Sequence, residues 1–378
     1  MDGSHDAPEI RTTCAYCGVG CGVLARPDGA GGVTVRGDPD HPANHGRLCS
    51  KGFALGETLS LDDRLLAPRI GGVDTDWDSA LGQVADRFSQ TIAQHGPDSV
   101  AFYVSGQLLT EDYYIANKLM KGFIGSANID TNSRLCMAST VAGQKRAFGT
   151  DTVPGTYEDL ELADLVVLVG SNLAWCHPVL YQRLAAAKAA RPDMKVVVID
   201  PRRTATCDLA DMHLALAPGS DVALFNRLLV EIDKGGAVDV DYMRHVNGFD
   251  ETLRAAMAQE GGVTGLDPAQ VAAFCKMWVG TEKVVTVFSQ GVNQSSSGTD
   301  KVNAILNCHI ATGRIGRPGM GPFSVTGQPN AMGGREVGGL SNALACHLDI
   351  EDAGHRDLVR SFWQAPTMAK GAGLKAVD

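Results

Sequence analysis

Three apolar runs between residues 164 and 291 are the clearest feature of the sequence. Residues 164–172 read DLVVLVGSN, residues 194–203 read MKVVVIDPRR, and residues 283–291 read KVVTVFSQG. Runs in which nearly every position is apolar are typical of strands buried on both faces of a parallel sheet. A shorter run over 212–220 predicts one more strand.

Helical patterns separate these strands. They predict helices from Pro178 to Ala190, from Asp221 onward and over 300–313. Successive strands with a helix between them pair in parallel through right-handed crossovers. We therefore expect an α/β fold that contains a Rossmann-like parallel sheet.

The first third of the chain has different patterns. Its Gly-rich beginning alternates apolar and polar positions, which predicts small antiparallel strands. Further on, a helix is predicted over 78–96, with Asp78 as its N-cap, followed by a buried strand over 99–106 and a helix over 111–125.

Residues 313–339 contain so much glycine and proline that we expect a functional loop there, without regular elements.

The composition narrows the class of protein. A formal charge of −10, without Lys- or Arg-rich runs, argues against a nucleic-acid or anionic-membrane surface. No window approaches 18 consecutive apolar residues, and the first residues resemble neither a secretory nor a twin-arginine signal. We expect a cytoplasmic protein whose ten cysteines are reduced, so that clustered cysteines are metal ligands before they are disulfides.

The densest chemical motif is CAYCGVGC, which carries Cys14, Cys17 and Cys21; a fourth cysteine, Cys49, follows in GRLCSKG. Three thiolates on a glycine-rich turn can occupy three corners of a cubane while the distant fourth closes it, which favours a [4Fe-4S] cluster. Structural zinc is the alternative, although zinc sites of four cysteines more often join two C-x2-C knuckles. Lys51 either carries charge between the cluster and a second redox group or is a solvated lysine.

The strand over 164–172 ends in Gly-Ser-Asn before a helix, which leaves backbone N–H groups free to bind the phosphates of a dinucleotide. Because G-x-G-x-x-G is absent from this stretch, ordinary NAD binding is not expected. Asp200 ends the next strand, where its carboxylate either accepts from ribose or guanine or caps the following turn. The amides and hydroxyls of FSQGVNQSSSG suit a polar pterin or form a satisfied loop.

Four stretches together resemble one family: CAYCGVGC with GRLCSKG, then TNSRLCMAS, VGSNLAWCHP, and the segment from GVNQSSSG to MGGREVGG. In combination they look like the catalytic subunit of bacterial assimilatory nitrate reductase, within the molybdopterin oxidoreductases related to dimethyl sulfoxide reductase. The resemblance covers nearly the whole chain from Thr13. Proteins of that family are longer, so the resemblance implies an N-terminal half that ends mid-fold.

The resemblance implies a [4Fe-4S] cluster and molybdenum bis(molybdopterin guanine dinucleotide) as cofactors. It makes Lys51 a lysine between cluster and pterin, and Cys136 the thiolate that binds molybdenum. The residues that match the cluster ligands are Cys14, Cys17, Cys21 and Cys49. The residues that match contacts to the dinucleotides are Lys51, Gln107, Asn132, Gly170, Ser171, Asn172, Asp200, Gln290 and Gln294.

Cys136 is ambiguous without the family, because a lone cysteine beside a methionine is more often a small buried hydrophobe than a ligand. We expect it in a polar loop over 130–139, where a soft thiolate can meet a molybdenum held by the pterin. Similar formate dehydrogenases follow this position with histidine. Here Met137 follows, and a thioether cannot take up the proton of formate.

The reaction that the resemblance implies is reduction of nitrate to nitrite by oxygen-atom transfer, with electrons supplied through the cluster. Arg335 is the candidate cation, since its planar fork matches a trigonal oxyanion. The alternative is that Arg335 pairs with Glu336 or with a cofactor phosphate. Two other functions stay open: a formate dehydrogenase-like oxidoreductase and a non-catalytic iron–sulfur electron-transfer module. The candidate electron donors are ferredoxin, flavodoxin and an NADH-dependent reductase.

The predicted fold class is mixed α/β, with a small N-terminal iron–sulfur domain followed by interleaved α/β domains. We place the cluster domain at 1–62, the first part of a molybdopterin domain at 63–155, a Rossmann-like dinucleotide domain at 156–318 and a return segment at 319–378.

The remaining histidines, cysteines and tryptophans fit structural roles. We expect structural histidines at His177, His309 and His347. We expect buried thiols at Cys176, Cys207, Cys275, Cys308 and Cys346, and core or interface aromatics at Trp77, Trp175, Trp278 and Trp363.

Overall fold

The computed structural model describes residues 7–259 and 263–378. Its first three strands, β1 (Ile10–Thr13), β2 (Gly22–Pro27) and β3 (Val33–Gly37), form an antiparallel sheet in that order. The predicted small antiparallel strands are confirmed.

A short helix and a hairpin follow this sheet. Helix α1 spans Ser50–Phe53, and strands β4 (Arg69–Ile70) and β5 (Val73–Asp74) pair antiparallel. Gly71 and Gly72 join them with φ angles of 60° and 83°. Positive φ at both positions is what a two-residue type I′ turn requires.

The long helix α2 spans Trp77–His95 and ends at Gly96. Its N-cap is Asp76, whose side chain accepts from Ser79 N at 2.7 Å. The prediction of Asp78 as the cap is therefore wrong, since Asp78 lies in the first turn.

Strands β6 (Phe102–Val104) and β7 (Ile129–Thr131) form a small parallel sheet. Strand β6 is only half-buried, with Tyr103 63% exposed, so the prediction of a buried strand is wrong there.

Along the chain, strand β7 is preceded by one helix and followed by another. Helix α3 (Thr110–Asn117) continues as a π-helix over Lys118–Ile124. Helix α4 spans Ser133–Phe148 and is kinked at Met137, where φ is −132°. The expected loop over 130–139 is therefore wrong, because Cys136 lies in the first turns of a helix.

Five parallel strands form the main sheet in the order β10-β9-β8-β11-β12. The strands are β8 (Leu165–Val169), β9 (Lys195–Ile199), β10 (Met212–Leu214), β11 (Val284–Phe288) and β12 (Gly321–Ser324). The predicted Rossmann-like parallel sheet is confirmed. Strand β12 contradicts the expectation that 313–339 lacks regular elements.

The remaining helices pack around this sheet or follow it. They are α5 (Tyr157–Leu162), α6 (Leu173–Cys176), α7 (Pro178–Ala190), α8 (Asp221–Lys234), α9 (Phe249–Ala258), α10 (Pro268–Gly280), α11 (Gln290–Asn293), α12 (Gly298–Ala311), α13 (Ala331–Glu336) and α14 (Ala353–Trp363). The predicted bounds of α7 are confirmed. Helix α13 is a second element inside the expected loop.

Alternation along β8 divides the core into two layers. Leu165, Val167 and Val169 pack with α8, α10 and α12, whereas Val166 and Leu168 pack with α7 and the N-terminal domain. All five side chains are fully buried. A strand covered on both faces explains why this run is apolar at every position.

Arg183 on α7 fastens the N-terminal domain to the sheet. Its guanidinium is buried and donates from Nη1 to the carbonyls of Pro42 at 2.7 Å and Ala43 at 2.8 Å, while Nε donates to Glu161 at 2.7 Å. The cysteine loop therefore sits against the same layer as α7.

No helix in the described part of the chain is long and apolar enough to cross a bilayer. The domain boundaries after residues 62, 155 and 318 stay predictions.

Candidate active site

The four clustered cysteines lie on two loops of the N-terminal domain. Cys14, Cys17 and Cys21 occupy the β1–β2 connection, where Cys14 N donates to Cys21 O at 2.9 Å, and Cys49 is the N-cap of α1. Cys14 and Cys21 are buried, and Cys17 and Cys49 are half-buried. A Cβ on Gly18 would lie 2.2 Å from the Thr326 carbonyl oxygen, so only glycine allows this loop to contact the loop after β12.

Electrostatics place the four sulfurs in one neighbourhood. Burial raises the pKa of Cys21 to about 12, and the other three cysteines add to the rise. Yet no three His, Cys, Asp or Glu side chains within 7–259 and 263–378 are placed to hold a single metal ion. A tetrahedral zinc site needs sulfurs only about 3.8 Å apart, from Zn–S bonds of about 2.3 Å, whereas a cubane spreads its ligands over its corners. Four cysteine sulfurs are the donor set that a [4Fe-4S] cluster requires.

Lys51 is exposed on α1 and has its charge near two groups of residues. Burial raises the pKa of Cys14 and Cys17, and Lys51 opposes both changes. Burial also lowers the pKa of His177, and the positive charge of Lys51 lowers it further. The charge of Lys51 therefore acts on both the cysteine loop and the connection of α6 to α7.

Cys136 is buried beside amides from the end of β11. Gln290 Nε2 lies 3.6 Å from Cys136 Sγ, and Gln294 Nε2 donates to Leu135 O at 3.3 Å. Met137 follows at the kink in α4. The structure thus brings Gln290 and Gln294 to the Cys136 segment, although each contact joins residues 154 or more positions apart in the sequence.

Gln107 and Asn132 follow β6 and β7, at the carboxyl end of this small parallel sheet. Asn132 Oδ1 accepts from Gly106 N at 2.8 Å, and Ser105 Oγ donates to Gln107 Oε1 at 3.1 Å. Ser133, the next residue after Asn132, donates to Gln328 at 2.8 Å. These amides therefore border the loop that follows β12.

Gly170, Ser171 and Asn172 follow β8 at the carboxyl edge of the main sheet, where open α/β sheets bind ligands. Gly170 has φ of 53°, and a Cβ there would lie 2.8 Å from Gly291 Cα. Gly291 N donates to Gly170 O at 3.0 Å. Asn172 Oδ1 accepts from Thr206 Oγ1 at 2.9 Å.

Asp200 follows β9 at the same edge. Its Oδ1 accepts from Arg202 N at 2.8 Å, so the carboxylate caps the following turn. This is the alternative that the sequence left open, and contact with a nucleotide stays a prediction.

A cavity of about 380 Å³ lies between the cysteine loop, α4 and α13. Gly18, Met137, Tyr157, Thr326 and Arg335 are among the residues that line it. Met137 and Arg335, predicted from separate motifs, therefore face the same space.

Arg335 forms an ion pair with Asp151, Nη1 to Oδ2 at 3.1 Å, and both side chains are largely buried. Arg335 Nη2 contacts Met332 Sδ, and its Nε is buried without a partner among the described residues. Glu336 instead binds His347 at 2.9 Å, so the alternative of an Arg335–Glu336 pair is wrong.

Sequence reasoning missed Asp151, Tyr157 and Thr326. Tyr157 donates to the Gly18 carbonyl at 3.0 Å, and burial followed by Cys17 and Cys21 raises the pKa of its hydroxyl to about 12. Thr326 O lies 2.6 Å from His177 Nε2. None of the three stands in a motif, because each acquires its role only through tertiary contact.

The other predicted structural residues divide into confirmed and wrong. His177 and His309 are buried, as are Cys207, Cys275, Cys308, Trp278 and Trp363. The prediction of buried thiols is wrong for Cys176 and Cys346, which are exposed. Trp77 and Trp175 are 64% and 72% exposed, so neither belongs to the core.

Three buried hydroxyls in segments that follow strands of the main sheet suit a large polar cofactor, and one of them belongs to Thr326, which lines the cavity. The hydroxyls of Ser171, Thr204 and Thr326 are buried and have no hydrogen-bond partner among the described residues. Buried polar groups normally have partners, so these three are candidates to bind a ligand. Together with the cavity and the soft thiol of Cys136, they fit a pterin-bound metal.

Family profiles match nearly the whole chain. The profile described as molybdopterin oxidoreductase matches residues 68–377, and the molybdopterin oxidoreductase Fe4S4 domain matches residues 8–60. These matches support a [4Fe-4S] cluster and molybdopterin as cofactors.

Two relatives and one solved structure extend this finding. A nitrate reductase of Klebsiella oxytoca is 57% identical over 98% of this chain and 43% of its own length. A periplasmic nitrate reductase of Desulfovibrio desulfuricans is 38% identical over 94% of this chain and 50% of its own. Acetylene hydratase from Pelobacter acetylenicus shares the fold, with a TM-score of 0.70 at 21% identity over 79% of this chain and 42% of that protein. The chain spans about half the length of the curated relatives it matches.

Proposed function

We propose that this chain, which belongs to the molybdopterin oxidoreductase family, forms the cofactor-binding part of a molybdenum-dependent nitrate reductase. The observation that carries the proposal is the shared cavity: Met137, which adjoins Cys136, and the cation Arg335 line the same space. A metal held by that thiolate would lie beside a cation suited to an oxyanion.

We assign the cofactor contacts as follows. Cys136 binds molybdenum, and Lys51 lies between cluster and pterin. The cluster ligands are Cys14, Cys17, Cys21 and Cys49. The dinucleotide contacts are Gln107, Asn132, Gly170, Ser171, Asn172, Asp200, Gln290 and Gln294. The support for the dinucleotide contacts is that most of them lie at the carboxyl ends of parallel strands, where α/β folds bind nucleotides.

The reaction converts nitrate, two protons and two electrons into nitrite and water. When bound, the cofactors supply the oxygen-atom transfer and the electrons. Arg335 binds and orients the nitrate anion through its guanidinium, and Asp151 holds one edge of that group in place. The Gln290 amide donates toward the Cys136 sulfur and orients it. Met137 excludes water from the cavity wall and moves no proton.

We also propose the assimilatory, cytoplasmic type and an N-terminal half that further polypeptide covers. The Klebsiella relative, named simply a nitrate reductase, is more similar than the relative named periplasmic. Exposed apolar side chains support the proposal that further polypeptide packs on this surface. More than 60% of the surface is exposed at Leu61, Leu65, Leu66 and Trp77. The electron donor in this proposal is a ferredoxin, a flavodoxin or an NADH-dependent reductase.

The test uses the full-length holoenzyme, with a chemical reductant in the nitrate assay and an artificial electron acceptor in the formate assay. We expect nitrite formation from nitrate and no comparable oxidation of formate. Faster turnover of formate than of nitrate would replace the proposal with the formate dehydrogenase-like function.

A metal analysis tests the role of Cys136 separately. We expect Cys136→Ser to lose molybdenum and keep about four irons per chain, because its cluster ligands are untouched. The exposed Cys176→Ser is the matched control and should keep both metals. Unchanged molybdenum in Cys136→Ser would favour the non-catalytic electron-transfer module.

A further inference from the structure

A buried lysine lies behind the turn that follows Arg335. Lys121, in the π-helix, has no exposed surface. Its Nζ donates to the carbonyls of Gly338 at 2.6 Å, Leu340 at 2.9 Å and Ala343 at 2.8 Å, and to Asn117 Oδ1 at 2.8 Å. Residues 338–343 therefore wrap around one amino group.

This turn continues directly from the helix that carries Arg335. Gly338 N donates to Arg335 O at 3.1 Å, and Gly339 N donates to Gly334 O at 2.6 Å. Gly338 has φ of 79°, and a Cβ there would lie 2.6 Å from the carbonyl carbon of Leu344. The turn has little freedom to shift unless these contacts break.

The same turn is bound to the helix that carries Cys136. Arg134, two residues before Cys136, donates from Nη2 to Asn342 Oδ1 at 2.9 Å and to Ser341 Oγ at 3.3 Å. Its Nε pairs with Asp130 at 2.8 Å, and both side chains are largely buried. Residues 338–343 thus connect the Arg335 helix to the start of α4.

The ammonium form of Lys121 suits this position, because four acceptors surround its Nζ. Burial lowers the pKa of Lys121 to about 7, and Asp130 opposes the change. An ammonium offers three N–H groups to the surrounding acceptors, more than any other aliphatic side chain of this length. An apolar replacement would leave three buried carbonyls without this donor.

We propose that Lys121 is a positioning residue of the nitrate site: it holds the turn 338–343 and thereby fixes Arg335 relative to Cys136. This inference rests on the proposed function. Small displacements of a group that orients a substrate cost binding and rate steeply. Loss of Lys121 should therefore weaken nitrate binding more than it weakens metal binding.

The experiment compares two buried lysines in the full-length holoenzyme. Lys301 is the matched control because it is equally buried and pairs with Asp221 at 2.7 Å, but it joins α12 to α8, away from the turn. We expect Lys121→Met to raise KM for nitrate about tenfold, with kcat changed about threefold or less and molybdenum content retained. Lys301→Met should lower stability and leave KM unchanged.

Hydrogen exchange supplies a readout that does not depend on activity. In Lys121→Met the amides of 331–343 should exchange faster than in wild type, and in Lys301→Met they should not. If Lys121→Met yields no folded protein, Asn342→Ala removes the bond from Arg134 at an exposed position and should raise KM about threefold.

The outcomes separate the two proposals. Absence of nitrite formation by wild type would overturn the proposed function, and the exchange data would still judge whether Lys121 holds the Arg335 segment. Unchanged exchange over 331–343 and an unchanged KM in the variants would overturn the inference and leave Lys121 a purely structural lysine.

Discussion

Arg335 brings a positive charge to a cavity wall while Asp151 holds only one side of it. The ion pair uses Nη1, and Nε has no partner among the described residues. A guanidinium with free donors at a cavity can bind a planar oxyanion while it stays oriented.

Replacing this cation should weaken nitrate binding. We expect Arg335→Gln to raise KM for nitrate about 10- to 100-fold, since a hydrogen bond to a charged group contributes about 1.5–3 kcal/mol. Steady-state kinetics would measure it. Glu336→Gln, one position later and bound to His347, is the control and should behave as wild type. Equal KM values in the two variants would remove Arg335 from the site.

His309 makes stability depend on pH. Burial, and then Arg314, holds the pKa of this imidazole well below its ordinary value of 6.5. The unfolded chain therefore binds a proton below about pH 6.5 that the folded chain excludes, so stability falls as pH falls through that range.

The prediction for His309 follows from this sign. We expect His309→Gln to flatten the decrease in urea midpoint between about pH 6.5 and 5, where an ordinary histidine titrates. The exposed His95→Gln should leave the decrease unchanged. A decrease as steep in His309→Gln as in wild type would contradict the argument.

Single residues show where sequence reasoning succeeds. The cluster cysteines and Arg335 stand in motifs whose residue types suit one chemistry. Asp151 stands in no motif, because its importance comes from packing against a residue 184 positions away.

At the scale of elements, one glycine contact connects two strands of the main sheet. Gly170 after β8 and Gly291 in α11 approach so closely that neither position has room for a Cβ. This contact fixes the carboxyl edge of the sheet, where the residues that we propose for nucleotide binding lie.

A pair of alanine variants isolates that contact. Gly170→Ala should destabilise the protein by about 1–3 kcal/mol, through both the positive φ and the close approach. Gly219→Ala shares the positive φ but has no neighbour within 4 Å, so it should cost less. Thermal unfolding of both variants would measure the difference, and equal Tm values would show that the contact contributes nothing.

The elements that the sequence predicts well are those with strong periodicity, such as β8 and α7. Strand β12 is not predictable from hydrophobic periodicity, because its sequence is GPFS. It pairs with β11 alone, and an edge strand tolerates a proline that would disrupt a central one. The first residues of helix α4 are polar and favour caps and turns, so the sequence predicts a loop there. In the structure, Thr140 N in α4 donates to Asn293 Oδ1 in α11 at 2.8 Å.

At the scale of the whole molecule, Arg183 joins the cluster domain to the sheet. Four hydrogen-bond acceptors surround its guanidinium: two backbone carbonyls from the N-terminal domain and the side chains of Glu158 and Glu161. The fold class and the parallel pairing of the main strands were predictable, but this junction was not, because nothing in the helical pattern of α7 marks one arginine as buried.

Breaking the junction should expose the cluster. We expect Arg183→Met to lower stability by about 2–4 kcal/mol and to speed iron loss to a chelator. Lys188→Met, on the same helix but paired with Asp211, should lose iron at the wild-type rate. If iron release is equally slow in both variants, the two parts are held together by other contacts.

The contacts that build the cavity also fix when it can exist. Tyr157, His177 and Lys121 join segments 139, 149 and up to 222 residues apart. Long loops close at an entropic cost that only the finished contacts offset. In a nascent chain still on the ribosome, the cysteine loop and Cys136 therefore emerge before the residues that complete these contacts. The walls of the cavity are complete only after translation has passed Ala343.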